Sequence, residues 1–293
     1  MTSRRHILLV VNPTAGSCRR GRLAEIIRSL EERGCIITRR ETRKSGDAER
    51  FAANIDCGGF DAVVVAGGDG TINEVLNGLP NDAPPLAILP LGTINVLAKE
   101  IDLPSSIQGL ADTVTSGPSR PVSVGEANGR RFFMMASVGL DADIVENVDL
   151  NLKRRIGKLA YLYETIKQFI TKTPVRYRLR IGDGEHEVAG AVIANGRYYA
   201  GRFVTSLTAD LETPCLDICH LTRFGRLALP SYLISLGFGR LASHAGVRID
   251  RVTALALLAP IGAPLQADGE LLCRLPAHIR ILPAAVRLIF PGS

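Results

Sequence analysis

The chain has 293 residues and a mass of 31.5 kDa, is 46% hydrophobic, and carries a net charge of +6. Length and apolar content suit two ordinary globular cores and exclude a disordered or fibrous chain. Aromatic residues make up only 5% and are not interleaved with the basic ones, and no zinc-finger or helix-turn-helix spacing occurs, so the polyanion implied by the charge is not expected to be nucleic acid.

No apolar run approaches a membrane span, and the opening MTSRRHILLVVNP lacks a signal-peptide pattern, which points to the cytoplasm. Six scattered cysteines, with Cys215-x3-Cys219 in a strand-like pattern and no second pair, read as buried free thiols rather than a zinc site.

In chain order, His6 to Val11 reads as a buried strand ending at Asn12-Pro13, with Gly16 and Ser17 behind it. A helix is expected around Arg19 to Glu32, a strand over Cys35 to Thr42, and a helix around Asp47 to Ile55. The apolar strand Asp61 to Gly67 then runs into Gly67-Gly68-Asp69-Gly70-Thr71. A helix follows at once, with Thr71 as its N-cap and Glu74 at capping-box spacing. A fourth strand, Leu86 to Leu91, ends at Gly92-Thr93, and a helix is expected from Ile94. Such alternation implies parallel strands with crossover helices, whose carboxyl ends share the edge where ligands bind in open α/β sheets.

The glycine run reads either as a tight strand-to-helix turn or as a phosphate loop, and the two further strand ends of the same chemistry favour the loop. Residues without Cβ let the backbone lie against a large anion, while the helix behind them directs free N–H groups and its dipole at the same point. Asp69 is the anomaly, because a carboxylate beside phosphates is repelled unless a cation bridges them, which fits a metal-nucleotide complex.

After Gly117-Pro118 the pattern changes to short strands with turn signals, of which Gly182-Asp183-Gly184 is the clearest hairpin. This second part is expected to be mostly antiparallel, interrupted by one basic amphipathic helix from about Leu152 to Thr171. That helix suits either its own β-domain or an anionic membrane surface.

Together these residues resemble the diacylglycerol kinase catalytic-domain family, which includes sphingosine and ceramide kinases and bacterial lipid kinases. Asn12-Pro13 with Gly16, the run Gly67 to Val75, and Pro90-Leu91-Gly92-Thr93-x-Asn95 resemble three successive family motifs. Ser137-Val138-Gly139-Leu140-Asp141-Ala142, Ala194-Asn195-Gly196 with Gly201, and Asp268-Gly269-Glu270 extend the likeness over nearly the whole chain.

The resemblance implies an α/β ATP-binding domain with a parallel sheet over residues 1–119, then a mostly antiparallel β-sandwich lipid-substrate domain over 120–293 whose last residues return to the first. It implies ATP and Mg²⁺ as cofactors and a diacylglycerol-like lipid as acceptor at a membrane surface. Asn12, Thr42, Gly67, Gly68, Asp69, Gly70, Thr71, Ile72, Asn73, Glu74, Gly92 and Thr93 would bind the nucleotide. Asp69, Asp268 and Glu270 would act in catalysis, the last two in the general-base motif. Bacterial relatives hold a structural Mg²⁺ on an aspartate-glycine-x-leucine strand, but Thr213-Pro214 stands there in this chain. That site is expected to be lost, or rebuilt around Asp210, Glu212 or Asp217. Alternatives left open are a soluble kinase of the NAD kinase type, since GGDGT serves that chemistry too, and a non-catalytic lipid-binding regulator.

Overall fold

The computed structural model describes residues 3–16, 20–147, 175–199, 201, 203–225 and 228–292. The chain divides into two compact units, Met1–Val124 with Pro283–Ser293, and Gly125–Leu282.

In the first unit, strands β1 (His6–Val11), β2 (Ile36–Glu41), β3 (Ala62–Gly67) and β4 (Leu86–Pro90) pair in parallel in the order β2-β1-β3-β4. The C-terminal end of the last strand, β18 (Ala277–Ile289), sets Leu288 beside Leu86 of β4. Strands β1 and β3 are buried almost throughout, as parallel strands covered on both faces must be. Helices α1 (Arg20–Glu32), α2 (Asp47–Ala53), α3 (Asp69–Gly78), α4 (Val96–Glu100) and α5 (Ile107–Ser116) connect them. Leu23, Ile26 and Leu30 of α1 share a core with Leu110, Ala111 and Val114 of α5. Helices α2 and α3 approach so closely that a Cβ on Gly78 would lie 2.1 Å from the Glu49 carbonyl.

Two local expectations need correction. The helix expected from Ile94 begins at Val96, because Asn95 adopts left-handed φ 52° and its Nδ2 donates back to the Gly92 carbonyl at 2.8 Å. Helix α5 was not anticipated; Ser106 caps it, accepting from the Gly109 N–H at 3.1 Å.

The second unit is a β-sandwich. Its strands are the end of β5 (Ser119–Ala127), β6 (Arg130–Phe132), β7 (Met135–Val138), β8 (Tyr177–Ile181), β9 (Gly184–Val188), β10 (Gly190–Ala194), β11 (Tyr198–Tyr199) and β12 (Phe203–Val204). They continue with β13 (Leu216–Leu221), β14 (Val247–Val252), β15 (Ala254–Ala259), β16 (Pro264–Ala267), β17 (Glu270–Arg274) and the start of β18. One antiparallel sheet runs β14-β13-β10-β7-β16-β17. Its Val138, Ile193, Ile218 and Leu265 share a core with Leu179, Leu257 and Ile279 of β8, β15 and β18. Gly182 and Asp183 form the two-residue turn between β8 and β9.

The α/β part followed by a sandwich is as the sequence implied, but two further helices, α6 (Leu140–Asn147) and α7 (Ala228–Gly237), interrupt the strands. The helix expected over Leu152 to Thr171 lies outside the described residues. Among those described, no helix is long and apolar enough to cross a membrane. Of the described cysteines only Cys35 and Cys219 are buried, and Cys57, Cys215 and Cys273 are half-buried, so the expectation of buried thiols holds for two. Burial pushes the Cys219 thiol up to about 12, leaving it inert.

Candidate active site

Parallel pairing brings the chain reversals of the first unit to one sheet edge. Val11 pairs with Glu41 on one side and Ala66 on the other, and Gly67 pairs with Pro90. Asn12, Thr42, Gly68 and Gly92 therefore follow strand ends in register. Backbone hydrogen bonds fix them: Asn12 N–H to the Ala66 carbonyl at 2.9 Å, Thr42 N–H to Val11 at 2.9 Å, and Leu91 N–H to Gly67 at 2.9 Å.

The glycines there have steric reasons. A Cβ on Gly67 would fall 2.7 Å from Thr71 Cβ, and one on Gly92 would fall 2.6 Å from Gly68 Cα and 2.7 Å from Asn95 Oδ1. The two glycine backbones lie in near contact, and a side chain at Gly92 would run into the Gly68 backbone. Asn12 Nδ2 donates to Thr71 Oγ1 at 3.0 Å, while Asn12 Oδ1 accepts from Thr14. The Oδ1 atoms of Asn73 and Asn95 are sealed from solvent without a partner.

Helix α3 starts at Asp69, with Gly68 in extended geometry as N-cap and no side chain capping it. Thr71 is thus inside the first turn and not the cap. Glu74 does not complete a capping box either: its Oε2 accepts from the Ala48 N–H at 3.2 Å and its Oε1 from Ser45 Oγ at 3.1 Å. It serves the start of α2, a partner remote in sequence. Ile72 points into the core at 1% exposure, and Thr93 is exposed.

Asp69 has a local structural role. Its Oδ1 accepts from the Val96 N–H at 2.8 Å, joining the N-termini of α3 and α4. Burial pushes its carboxyl above the usual range, and backbone donors around Val96 and Leu97 only partly offset this. Gly68, Gly92 and the uncapped α3 start fit an anionic group approached by backbone. Among the described residues no three acid, His or Cys groups gather as candidate metal ligands.

In the second unit, Asp268 occupies the turn between β16 and β17 at φ 49°. Its carboxylate accepts three backbone N–H groups, from Phe133 at 2.8 Å and from Met134 and Met135 at 3.0 Å each. Asn195 grips the same segment, donating from Nδ2 to the Phe133 carbonyl at 2.7 Å. Glu270 is exposed at the start of β17. Beside the turn, Asp141 accepts from Ser137 Oγ, from Tyr199 OH and, at 2.7 Å, from Gln266 Nε2. Gln266 Oε1 accepts from the Gly269 N–H at 3.0 Å, tying this cluster to the Asp268 turn. Gln266 and Tyr199 were missed in the sequence, where they read as ordinary strand residues; the Asp-Gly turn two residues after Gln266 was the available signal.

The candidate structural metal site does not fit a cation. Asp217, 1% exposed, accepts from Ser206 Oγ at 2.5 Å, Thr208 Oγ1 at 2.7 Å and Arg251 Nε at 2.9 Å, so a guanidinium already balances it. Asp210 and Thr213 close a local turn through the Asp210 carbonyl, and Asp210 Oδ1 accepts from the Glu212 N–H at 2.9 Å.

Burial pushes the Asp217 carboxyl up, but hydrogen bonds from Arg251, Ser206 and Thr208 outweigh it and hold it below the usual range. A folded value below the unfolded one means stability is complete above the ordinary carboxylate value near ~3.9 and drains as pH falls through the folded value. Arg251→Met is therefore expected to lose about 1–3 kcal/mol at neutral pH. It should also flatten the acid limb of a denaturation series, and an unchanged acid limb would refute this assignment.

Two unit-length comparisons define the class. Residues 6–127 match the diacylglycerol kinase catalytic domain, and residues 134–290 match the YegS C-terminal NAD kinase beta sandwich-like domain. The chain thus combines a kinase-type catalytic domain with a sandwich of the NAD kinase type. It belongs to the family in which a diacylglycerol kinase catalytic domain is followed by a YegS C-terminal NAD kinase beta sandwich-like domain. It is similar to a diacylglycerol kinase of Bacillus subtilis (strain 168), 33% identical over 58% of each chain. It is also similar to one of Staphylococcus aureus (strain bovine RF122 / ET3-1), 27% identical over 99% of this chain and 94% of the relative. A crystal structure of a diacylglycerol kinase from Bacillus anthracis str. Sterne shares the fold, with TM-score 0.81 and 24% identity over 100% of this chain and 99% of that one.

Proposed function

We propose that the protein is an ATP-dependent lipid kinase that transfers the γ-phosphoryl group to the hydroxyl of a diacylglycerol-like lipid. The observation that carries this reading is the first unit's sheet edge, where the closely approaching Gly68 and Gly92 backbones and the uncapped start of α3 adjoin Asp69 in a chain of this family. Backbone N–H groups of α3 would receive phosphate oxygens, and Asn12 with Thr71 would hold the loop. The exposed Arg43 and Lys44, directly after Thr42, add cations near the same edge. Bound Mg-ATP supplies the phosphoryl group, with the cation offsetting phosphate charge. Asp69 would face that cation.

Of the two residues in the general-base motif, Glu270 is the better proton acceptor and Asp268 the better anchor. Three N–H donors already occupy the Asp268 oxygens, whereas Glu270 stands exposed two residues on. Mass spectrometry of a total lipid extract incubated with the protein and Mg-ATP is expected to show new phosphorylated lipids. NAD supplied with Mg-ATP as the only acceptor tests the soluble alternative that the sandwich's likeness to NAD kinases raises. Phosphorylated NAD with no lipid product would replace this reading, and ATP binding without any product would favour a regulator.

A further inference from the structure

Helix α7 of the second unit displays apolar side chains outward on a fixed scaffold. Tyr232, 5% exposed, pins its inner face: its OH donates to the Gly246 carbonyl at 2.9 Å and accepts from the Arg223 N–H at 2.8 Å, and its ring lies 4.9 Å from that of His244. On the other side Leu233, Ile234 and Phe238 are 41%, 60% and 78% exposed. Phe238 is not a loose tail. The Gly239 N–H donates to Leu236 at 2.9 Å and the Arg240 N–H to Ser235 at 2.8 Å, with Gly239 at φ 67°, the double bond of a Schellman cap. That cap fixes Phe238 at the helix end and Arg240 just beyond it.

The segment that carries this face has charge of one sign along the sequence, although Arg248 at its end pairs with Asp250. From Ile218 to Ile249 the sequence contains no aspartate or glutamate and four arginines, Arg223, Arg226, Arg240 and Arg248. Arg223 and Arg240 are exposed, with no ion pair among the described residues.

We propose that the α7 face docks the protein on an anionic phospholipid surface, inserting Ile234, Leu233 and Phe238 at the headgroup boundary while Arg240 and Arg223 meet lipid phosphates. Large apolar side chains and exposed arginines in a segment without carboxylates match the requirements of interfacial binding. A second copy of the chain fits poorly, because a two-fold contact would set these arginines against themselves. The choice of a membrane also rests on the lipid-kinase reading, which requires the enzyme to meet a substrate held in a bilayer.

Co-sedimentation without nucleotide tests the docking apart from the chemistry. Wild-type protein should bind phosphatidylcholine vesicles containing phosphatidylglycerol and bind phosphatidylcholine alone far less. The double variant Ile234→Ser/Phe238→Ser should lose about tenfold or more in partitioning, and Arg240→Gln about fivefold. Both replaced apolar side chains are mostly in solvent, so the melting temperature should stay within a degree or two, which is the control on folding. No vesicle binding by the wild type, or equal binding by the double variant, overturns the proposal. So does a dimer in sedimentation velocity that the double variant abolishes. A kinase assay on a water-soluble short-chain diacylglycerol runs alongside. Activity there without vesicle binding sinks the docking alone, and vesicle binding without any phosphorylation sinks the kinase reading alone.

Discussion

Asp69→Asn is expected to reduce phosphorylation by about a thousandfold while leaving the protein as stable as before or more so. The activity half follows from charge. An amide at this position keeps an oxygen to accept from the Val96 N–H at 2.8 Å, so the joint between α3 and α4 survives, but the negative charge that would face a nucleotide-bound cation is gone. The stability half follows from burial, which raises the Asp69 carboxyl above its ordinary range. For a carboxyl whose folded value lies above its unfolded one, the favourable contribution is present below the unfolded value and lost as pH rises through the folded value. Once pH rises through the folded value, the charge on Asp69 is thus a cost to the fold, and the neutral amide removes it. Melting curves at neutral and mildly acid pH should show the variant's advantage shrinking as the pH falls. A variant that unfolds readily would make Asp69 a structural link first, and full activity would remove it from the cation's path.

That combination of local joint and unfavourable charge was only half visible in the sequence. Asp69 reads there as an anomaly beside phosphates, because the Val96 N–H that it accepts belongs to a different helix 27 positions on. The strands of the first unit were legible, since buried parallel strands need uninterrupted apolar runs such as Ile7-Leu8-Leu9-Val10-Val11 and Ala62 to Ala66. The capping box failed for an instructive reason. Thr71 and Glu74 have the right spacing, yet the helix starts two residues earlier at Asp69 and the Glu74 carboxylate goes to α2.

The second unit was harder to read. Helix α7 begins Ala228-Leu229-Pro230, an apolar run without charge that resembles a buried strand, and its Pro230 is tolerated only because it sits in the first turn. Helix α6 follows Gly139, whose φ of 111° turns the chain out of β7, a change of direction that period-2 patterning does not announce. Of the second-unit residues that carried the family resemblance, Asn195 and Asp268 both hold Phe133 to Met135 in place. Together they fix one strand entry, which spacing alone could not have shown.

Asp268→Ala and Glu270→Ala are therefore expected to fail differently. Phe133, Met134 and Met135 are 2%, 4% and 5% exposed, so removing the Asp268 carboxylate strands three backbone N–H groups away from water. Each such loss costs about 1–3 kcal/mol, and because the three share one acceptor the total should be about 3–5 kcal/mol. A chain of this size would then melt roughly 10 °C lower or more. Activity should fall with the folded fraction and recover in part when assayed cold or with a stabilising ligand. Glu270→Ala removes an exposed side chain, so the melting temperature should hold while turnover drops by about a hundredfold or more if this carboxylate takes the acceptor hydroxyl's proton. Thermal melting and steady-state rates on both variants separate the roles. A stable but inactive Asp268→Ala together with a fully active Glu270→Ala would exchange them, making the clamped carboxylate the base despite its three donors.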